Sequence, residues 1–214
     1  MPVILLTGFE PFGGERVNPS QEIVRVLDGE VVAGHRIVGA VLPVVFEGTP
    51  ERLRELIGQH RPAIALGLGQ AGGRSALSLE RVAVNLVDAR IADNAGAQPF
   101  DCPVIAGAAP AHFTTLPTKA MVAAITECGI PAELSLSAGS FVCNQVFYAL
   151  AQLATEFDGL RAGFMHLPWL PAQAARFTDQ PSMALAIMLE GVRAALACAI
   201  ATRHDPVVAG GATH

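Results

Sequence analysis

"AIALGLGQAGGRSALSLERVAVNLVD", residues 63–88, decides the fold. It opens with an unbroken apolar run of strand length, the pattern of a strand covered on both faces. Gly67, Gly69 and Gly72 then fall in GxGxxG spacing, and Asp88 stands about where a ribose-binding acid would, so a dinucleotide-binding fold is the first reading to test. That reading needs a helix next, with its N-terminus facing a pyrophosphate. Instead Val82, Val84 and Leu86 alternate with polar or small neighbours, as in a half-buried strand, and Asp88 follows that strand directly. A lone GxGxxG is a weak signal. The glycines are read as a tight turn that lets backbone approach something closely.

Outward from this stretch, strand-length apolar runs alternate with helical periodicity, which predicts an α/β fold. Upstream, "VILLT" (3–7) is a strand, and "NPSQEIVRVL" (18–27) is a helix with Asn18 as cap, Pro19 in the first turn and Gln21 three residues past the cap. "RIVGAVLPVVF" (36–46) is strand-like, and "TPERLRELIGQ" (49–59) repeats the start signal with Thr49 as cap. Downstream, residues 89–117 form a long loop rich in Gly, Pro, Ala, Asn and Asp, of the kind that is often functional. Helices follow over 118–129, 141–157 and 182 to about 203, with strands at 132–137 and 161–170 between them. Residues 1–214 read as one domain, with a loose tail from about 204.

The chain is 51% hydrophobic and 15% charged, which suits a packed globule with apolar surface left for a subunit interface. Its net charge of −5 and scattered 14 Lys and Arg offer no basic stripe to a nucleic acid. The opening "MPVILLTGFEPFGG" lacks the positive start and cleavage site of a secretory leader. The most apolar long stretch carries Glu190 and Arg193 in its middle, which argues against a membrane span. Four widely spaced cysteines form no CxxC pair, so reduced thiols are expected and three of them are read as packing residues.

The fourth, Cys143, stands in "SAGSFVCNQVFYAL" (137–150), where a small-residue loop becomes a helix. With Ser140 as cap, the thiol falls in the first turn, where free N–H groups and the positive end of the dipole favour a thiolate. The dipole is worth roughly 0.3–2 kcal/mol, against about 1.4 kcal/mol per pKa unit. A strongly lowered thiol therefore needs a second cause. His166, ending the strand before Pro168, is the best placed imidazolium, since strand ends beside helix N-termini are where sites collect in open α/β sheets. A carboxylate should orient that imidazole; Glu80, Asp93 and Glu10 are all candidates, and spacing does not choose among them. Arg90 is open between stabilising an oxyanion and pairing with a carboxylate. Packing roles for Cys143 and His166 stay open on the residues alone.

Four blocks, "TGFEPFGGERVNPS" (7–20), "GLGQAGGRSALSLERVAVNLVDARIADNAGAQP" (67–99), "SAGSFVCN" (137–144) and "GFMHLPWLP" (163–171), together resemble the pyroglutamyl peptidase I family, the pyrrolidone-carboxylate peptidases. The resemblance runs from the first strand to about Trp169. It implies a catalytic triad of Cys143, His166 and Glu80, and so selects Glu80 among the three carboxylates. It also implies a three-layer α/β/α sandwich with a twisted, mostly parallel sheet, and removal of an N-terminal pyroglutamyl residue from peptides. It further implies no cofactor or metal, a cytoplasmic location and a homo-oligomer, tetramer or dimer. The ring-binding positions fall on Phe9, Phe12, Gln70, Arg90, Ile91, Phe141 and Val142, with Asn18 bracing the first loop. Leu136, Gln145 and Trp169 depart from the family pattern, which opens pocket shape and specificity. Pyroglutamate is a neutral lactam ring with adjacent NH and C=O groups, so phenylalanine walls and a few polar contacts suit it. Two alternatives remain: a noncatalytic α/β protein that binds a nucleotide or other anion at the glycine turn, and an amidase acting on another small lactam.

Overall fold

Alternating apolar strands and amphipathic helices assemble around one sheet. In a computed structural model, which describes residues 1–211, the first half of the chain runs β1 (Val3–Phe9), α1 (Pro19–Leu27), β2 (Val31–Val32), β3 (His35–Leu42), α2 (Thr49–His60), β4 (Ile64–Gln70), β5 (Leu77–Glu80) and β6 (Val82–Val84). The second half runs β7 (Ala111–Phe113), α3 (Thr118–Glu127), β8 (Ala132–Ser135), α4 (Val142–Glu156), β9 (Arg161–Leu167), α5 (Pro171–Ala174) and α6 (Leu185–Ala201). Seven strands form the main sheet in the order β2-β3-β1-β4-β9-β5-β8. β3, β1, β4 and β9 are mutually parallel, and β9 meets β5 antiparallel before β5 pairs parallel with β8. The expected mostly parallel α/β/α sandwich is therefore present.

Side-chain alternation along each strand splits the core in two. Ile64, Leu66 and Leu68 of β4 pack with Met165 of β9 under α1, α3 and α6. Ala65 and Phe164 face the opposite layer, with Leu53 and Ile57 of α2 and Val146, Phe147 and Leu150 of α4. The unbroken apolar run of β4 is the consequence of a central strand covered on both faces.

The α1 start is as expected: Asn18 Oδ1 accepts from the Ser20 N–H at 3.0 Å, and its Nδ2 donates to the Glu10 carbonyl at 3.0 Å. Thr49 is not the cap of α2. Gly48, with φ +74°, holds that position, while the Thr49 hydroxyl, inside the first turn, donates to the Val45 carbonyl at 2.6 Å. The strand expected through residue 88 breaks at Arg81. β6 leaves the main sheet and pairs antiparallel with β7. The buried Asn144 of α4 directs this departure: its Oδ1 accepts from Val84 N–H at 3.0 Å, and its Nδ2 donates to the carbonyls of Val84 and Leu86, each at 2.9 Å. One side chain thus stands in for a neighbouring strand.

The tail is fastened where it passes α3. Pro117 cannot cap that helix with its side chain, and the Asp205 carboxylate supplies the acceptor instead, taking the N–H groups of Lys119 at 2.8 Å and Ala120 at 3.1 Å. Residues 212–214, the end of the tail expected to be loose, lie outside the described residues. Among the described residues, no helix is long and apolar enough to cross a membrane. Arg193 of α6 instead forms a bidentate pair with Glu30 at 2.8 and 3.0 Å.

Candidate active site

The three glycines of residues 67–72 each leave room for a specific neighbour. A Cβ on Gly67 would stand 2.5 Å from Phe164 Cδ2, one on Gly69 2.8 Å from both Cys143 Sγ and Phe164 Cζ, and one on Gly72 2.5 Å from the Trp169 indole. The GxGxxG spacing therefore records close packing, with the cysteine over Gly69 and aromatic rings over Gly67 and Gly72. The chain then turns through Gly73, at φ +85°, into a strand rather than a helix, so the nucleotide reading has no helix N-terminus to rest on.

Register brings the remaining groups together. Gly69 of β4 is directly opposite His166 of β9, and paired residues in a sheet point to the same face. Cys143 Sγ lies over Gly69 from α4, so thiol and imidazole share that face at adjoining positions. On the other side of β9, Glu80 of β5 pairs with Phe164, two residues before His166 and again on the same face. From there Glu80 Oε1 accepts from His166 Nδ1 at 2.7 Å. A carboxylate partner puts the proton on Nδ1 and leaves Nε2 as the basic nitrogen.

Glu10 and Asp93, the other carboxylates open at the sequence level, do other work. Asp93 accepts from the N–H groups of Phe46, Ala95 and Ala97 at 2.8–2.9 Å. Burial pushes its pKa up, but these backbone donors outweigh burial and hold it below the usual carboxylate range. Glu10 accepts from Asn94 Nδ2 at 2.7 Å and from Val44 N–H at 3.4 Å, which braces the first loop.

Arg74 escaped the sequence reading. From the glycine turn its Nη1 donates to the same Glu80 Oε1 at 2.9 Å, and its Nη2 to the Ser137 carbonyl at 3.3 Å. A cation six residues before a candidate carboxylate, across a turn, was the available signal.

The expected thiolate activation has the opposite sign at rest. Burial pushes the Cys143 thiol up to about 12, the Glu80 charge adds to this, and Arg74 opposes it. Burial also pushes His166 below its usual value, against the pull of Glu80. The resting pair is therefore neutral thiol and neutral imidazole. Ser140 is not the cap of α4: its hydroxyl donates to the Asp88 carbonyl at 2.8 Å, and Phe141 takes the cap position without a side-chain bond. Cys143 still falls in the first turn, where backbone N–H groups have no partners within the helix.

Beside the thiol is a nearly closed cleft, with only about 10 Å³ of free space, lined by Phe9, Phe12, Asn18, Val44, Gln70, Phe141, Val142 and Cys143. Phe141 is 6.2 Å from Phe12 and 5.2 Å, edge-on, from Phe46. Gln70 Oε1 accepts from the buried Gln173 of α5 at 2.8 Å, which leaves its NH₂ group to donate. The structure thus gathers Phe9, Phe12, Asn18, Gln70, Phe141 and Val142 at the thiol. Arg90 and Ile91 lie outside the lining and are exposed, because the loop turns the neighbouring Ala89 into the core.

Of the departures from the family pattern, Gln145 donates to the Phe46 carbonyl at 2.9 Å, beneath the ring that packs on Phe141. Trp169 covers Gly72 and stacks on Phe177 at 5.0 Å, and Leu136 is exposed. Among the described residues, no three His, Cys, Asp or Glu side chains are grouped to hold a metal.

A sequence model of the family described as pyroglutamyl peptidase matches residues 2–202. The pyrrolidone-carboxylate peptidase of Cupriavidus necator is 52% identical, with 100% of each chain covered, and that of Klebsiella pneumoniae 49%, again with 100% of each covered. Among solved structures, pyroglutamyl peptidase I from Bacillus amyloliquefaciens aligns with a TM-score of 0.94 at 41% identity, over 97% of this chain and 99% of that one. Pyrrolidone carboxyl peptidase from Thermococcus litoralis aligns with a TM-score of 0.91 at 35% identity, over 94% of each chain.

Proposed function

The chain belongs to the pyroglutamyl peptidase family and is a cysteine peptidase that removes an N-terminal pyroglutamyl residue, and we propose that Cys143, His166 and Glu80 carry its chemistry. The observation that carries this assignment is the 2.7 Å bond from His166 Nδ1 to the buried Glu80, with Cys143 Sγ on the face the imidazole shares.

A thiol pushed up to about 12 stays protonated at neutral pH. Deprotonation therefore accompanies attack: His166 Nε2 takes the thiol proton as Sγ bonds to the carbonyl carbon between pyroglutamate and the next residue. First-turn N–H groups of α4 hold the oxyanion. The tetrahedral adduct collapses to a thioester, the C–N bond breaks, and His166 returns the proton to the leaving amine. His166 then takes a proton from water as it attacks the thioester, and gives it back to the departing thiol. The products are pyroglutamate and the shortened peptide.

The phenylalanine walls suit the apolar faces of the lactam once they part to admit it, with the Gln70 NH₂ as donor to its carbonyl. A free-amino glutamyl residue would bring a charge into that cleft without a partner, a cost of several kcal/mol by burial alone. Arg90 and Ile91 join the pocket in this reading if the 89–98 loop moves on substrate binding. The protein is assigned to the cytoplasm as a homo-oligomer, tetramer or dimer. Exposed Phe100, Phe113 and Leu136 support apolar contact between copies, and light scattering after gel filtration tests it.

Hydrolysis of a pyroglutamyl coumarin amide, beside a glutamyl amide and Cys143→Ala, tests the whole reading. Cleavage is expected only with the lactam and only with Cys143. Turnover by a pure Cys143→Ala protein would overturn the nucleophile assignment.

A further inference from the structure

We propose that Arg74 is a positioning residue of the catalytic machinery, whose guanidinium is the counter-charge to the buried Glu80 that orients His166 and ties the loop before Cys143 to that carboxylate. This rests on the catalytic reading above and deepens it.

Glu80 is fully buried, and its Oε1 takes both the imidazole and the guanidinium, at 2.7 and 2.9 Å. Its other oxygen, Oε2, is buried with no hydrogen-bond partner among the described residues. A carboxylate so placed needs a counter-charge. With His166 neutral at rest, Arg74 is the cation in contact with it. Arg74 opposes protonation of His166, so without it the imidazole takes up a proton more readily, and an imidazole already protonated has no basic nitrogen to offer the thiol.

The second arm of the fork, Nη2 to the Ser137 carbonyl at 3.3 Å, crosses to the loop that delivers Cys143. That loop needs such a tie: Gly139 sits at φ +78°, and Ser140 is bound to Asp88 rather than to the helix end. Arg74 therefore links the base's orienting carboxylate and the nucleophile's approach segment through one rigid planar group.

The titratable and charged groups around the imidazole are few. Glu80 comes from β5, Arg74 from the glycine turn and Cys143 from α4. Glu133 of β8 acts at one remove, accepting at 2.7 Å from Ser78, the residue paired with His166. β4 contributes only Gly69 there. Arg74 lowers the proton affinity of both His166 and Cys143, so its loss moves both upward.

The test is the pH dependence of iodoacetamide alkylation, read by mass spectrometry on the peptide carrying Cys143, together with kcat/KM on the pyroglutamyl amide. In Arg74→Met both pH limbs should move up, and both Cys143 alkylation and kcat/KM at neutral pH should fall. Arg74→Lys should restore the limb positions through its charge, while leaving a residual loss because a point donor cannot fork to Ser137. Near-UV circular dichroism checks that each variant folds. If Arg74→Met does not fold, Arg74→Gln, which keeps a donor without the charge, replaces it with the same expectation. Wild-type limbs in the folded uncharged variant, or Arg74→Lys behaving like that variant, would overturn the proposal. A wild-type protein that alkylates at Cys143 but cleaves no pyroglutamyl amide would refute the substrate reading, while the alkylation comparison would still decide the role of Arg74.

Discussion

Replacing Gly69 by alanine puts a methyl group where Cys143 Sγ and Phe164 Cζ already stand, each 2.8 Å from the new Cβ. Comfortable carbon contacts begin at about 3.5 Å, so both partners, or the β4 backbone, have to give by about 0.7 Å. Phe164 is nearly fully buried against Phe147, so the thiol and the first turn of α4 yield along with the strand. Displacement of a reacting atom by up to about 1 Å costs on the order of a hundredfold in rate. Overpacking of this kind destabilises by about 1–3 kcal/mol, which for a domain of this size lowers Tm by about 4–8 °C at the midpoint of that range. Steady-state cleavage of a pyroglutamyl amide and differential scanning calorimetry read the two effects. Gly163→Ala is the matched control. Its Cβ meets Leu116 Cδ1 and Thr114 Oγ1 at 2.7 Å on the opposite face of the sheet, so it should lose stability while keeping kcat near wild type. A Gly69→Ala enzyme with wild-type kcat, or a Gly163→Ala enzyme that loses activity as severely, would refute the claim that the glycine exists to seat the nucleophile.

Asn144→Ala removes three bonds to the backbone of residues 84–86, at about 1 kcal/mol each, and should lower Tm by about 6–12 °C. Hydrogen exchange should show the loss concentrated in β6 and β7; uniform loss across the main sheet would contradict the strand-surrogate role. The pH profile follows from the burial of His166. Because burial holds the imidazole below its usual value, it protonates only at lower pH, so the acidic limb of kcat/KM should lie below about pH 6.5. A limb above neutrality would mean that the Glu80 contact, not burial, dominates.

Several features were legible in the residues because the forces behind them are local. The Asn18-Pro19 start of α1 depends on a side chain and its own backbone two residues on. The strand character of 64–70 shows in its unbroken apolar run and that of 82–84 in its alternation, and that alternation excluded the helix a nucleotide fold requires. Even so, Ser140 and Thr49 had the composition of caps and do not cap, because a carbonyl elsewhere claimed each hydroxyl: Asp88, far along the chain, for Ser140, and Val45 for Thr49.

Local chemistry also presented Cys143 and His166 as a candidate pair, and three carboxylates as candidate orienters, with Glu80 selected only by family resemblance. Only the tertiary structure put Glu80 against His166, through the antiparallel pairing of β5 with β9, and sent Asp93 and Glu10 to brace loops. Only the tertiary structure could introduce Arg74, set the resting thiol high rather than low, and peel β6 from the sheet onto Asn144, 60 residues away. A propensity or a cap is a property of neighbours in the chain. A register, a burial cost or a counter-charge exists only when segments far apart in sequence share one space, and in this protein the orientation of the base and the protonation of the nucleophile are of that second kind.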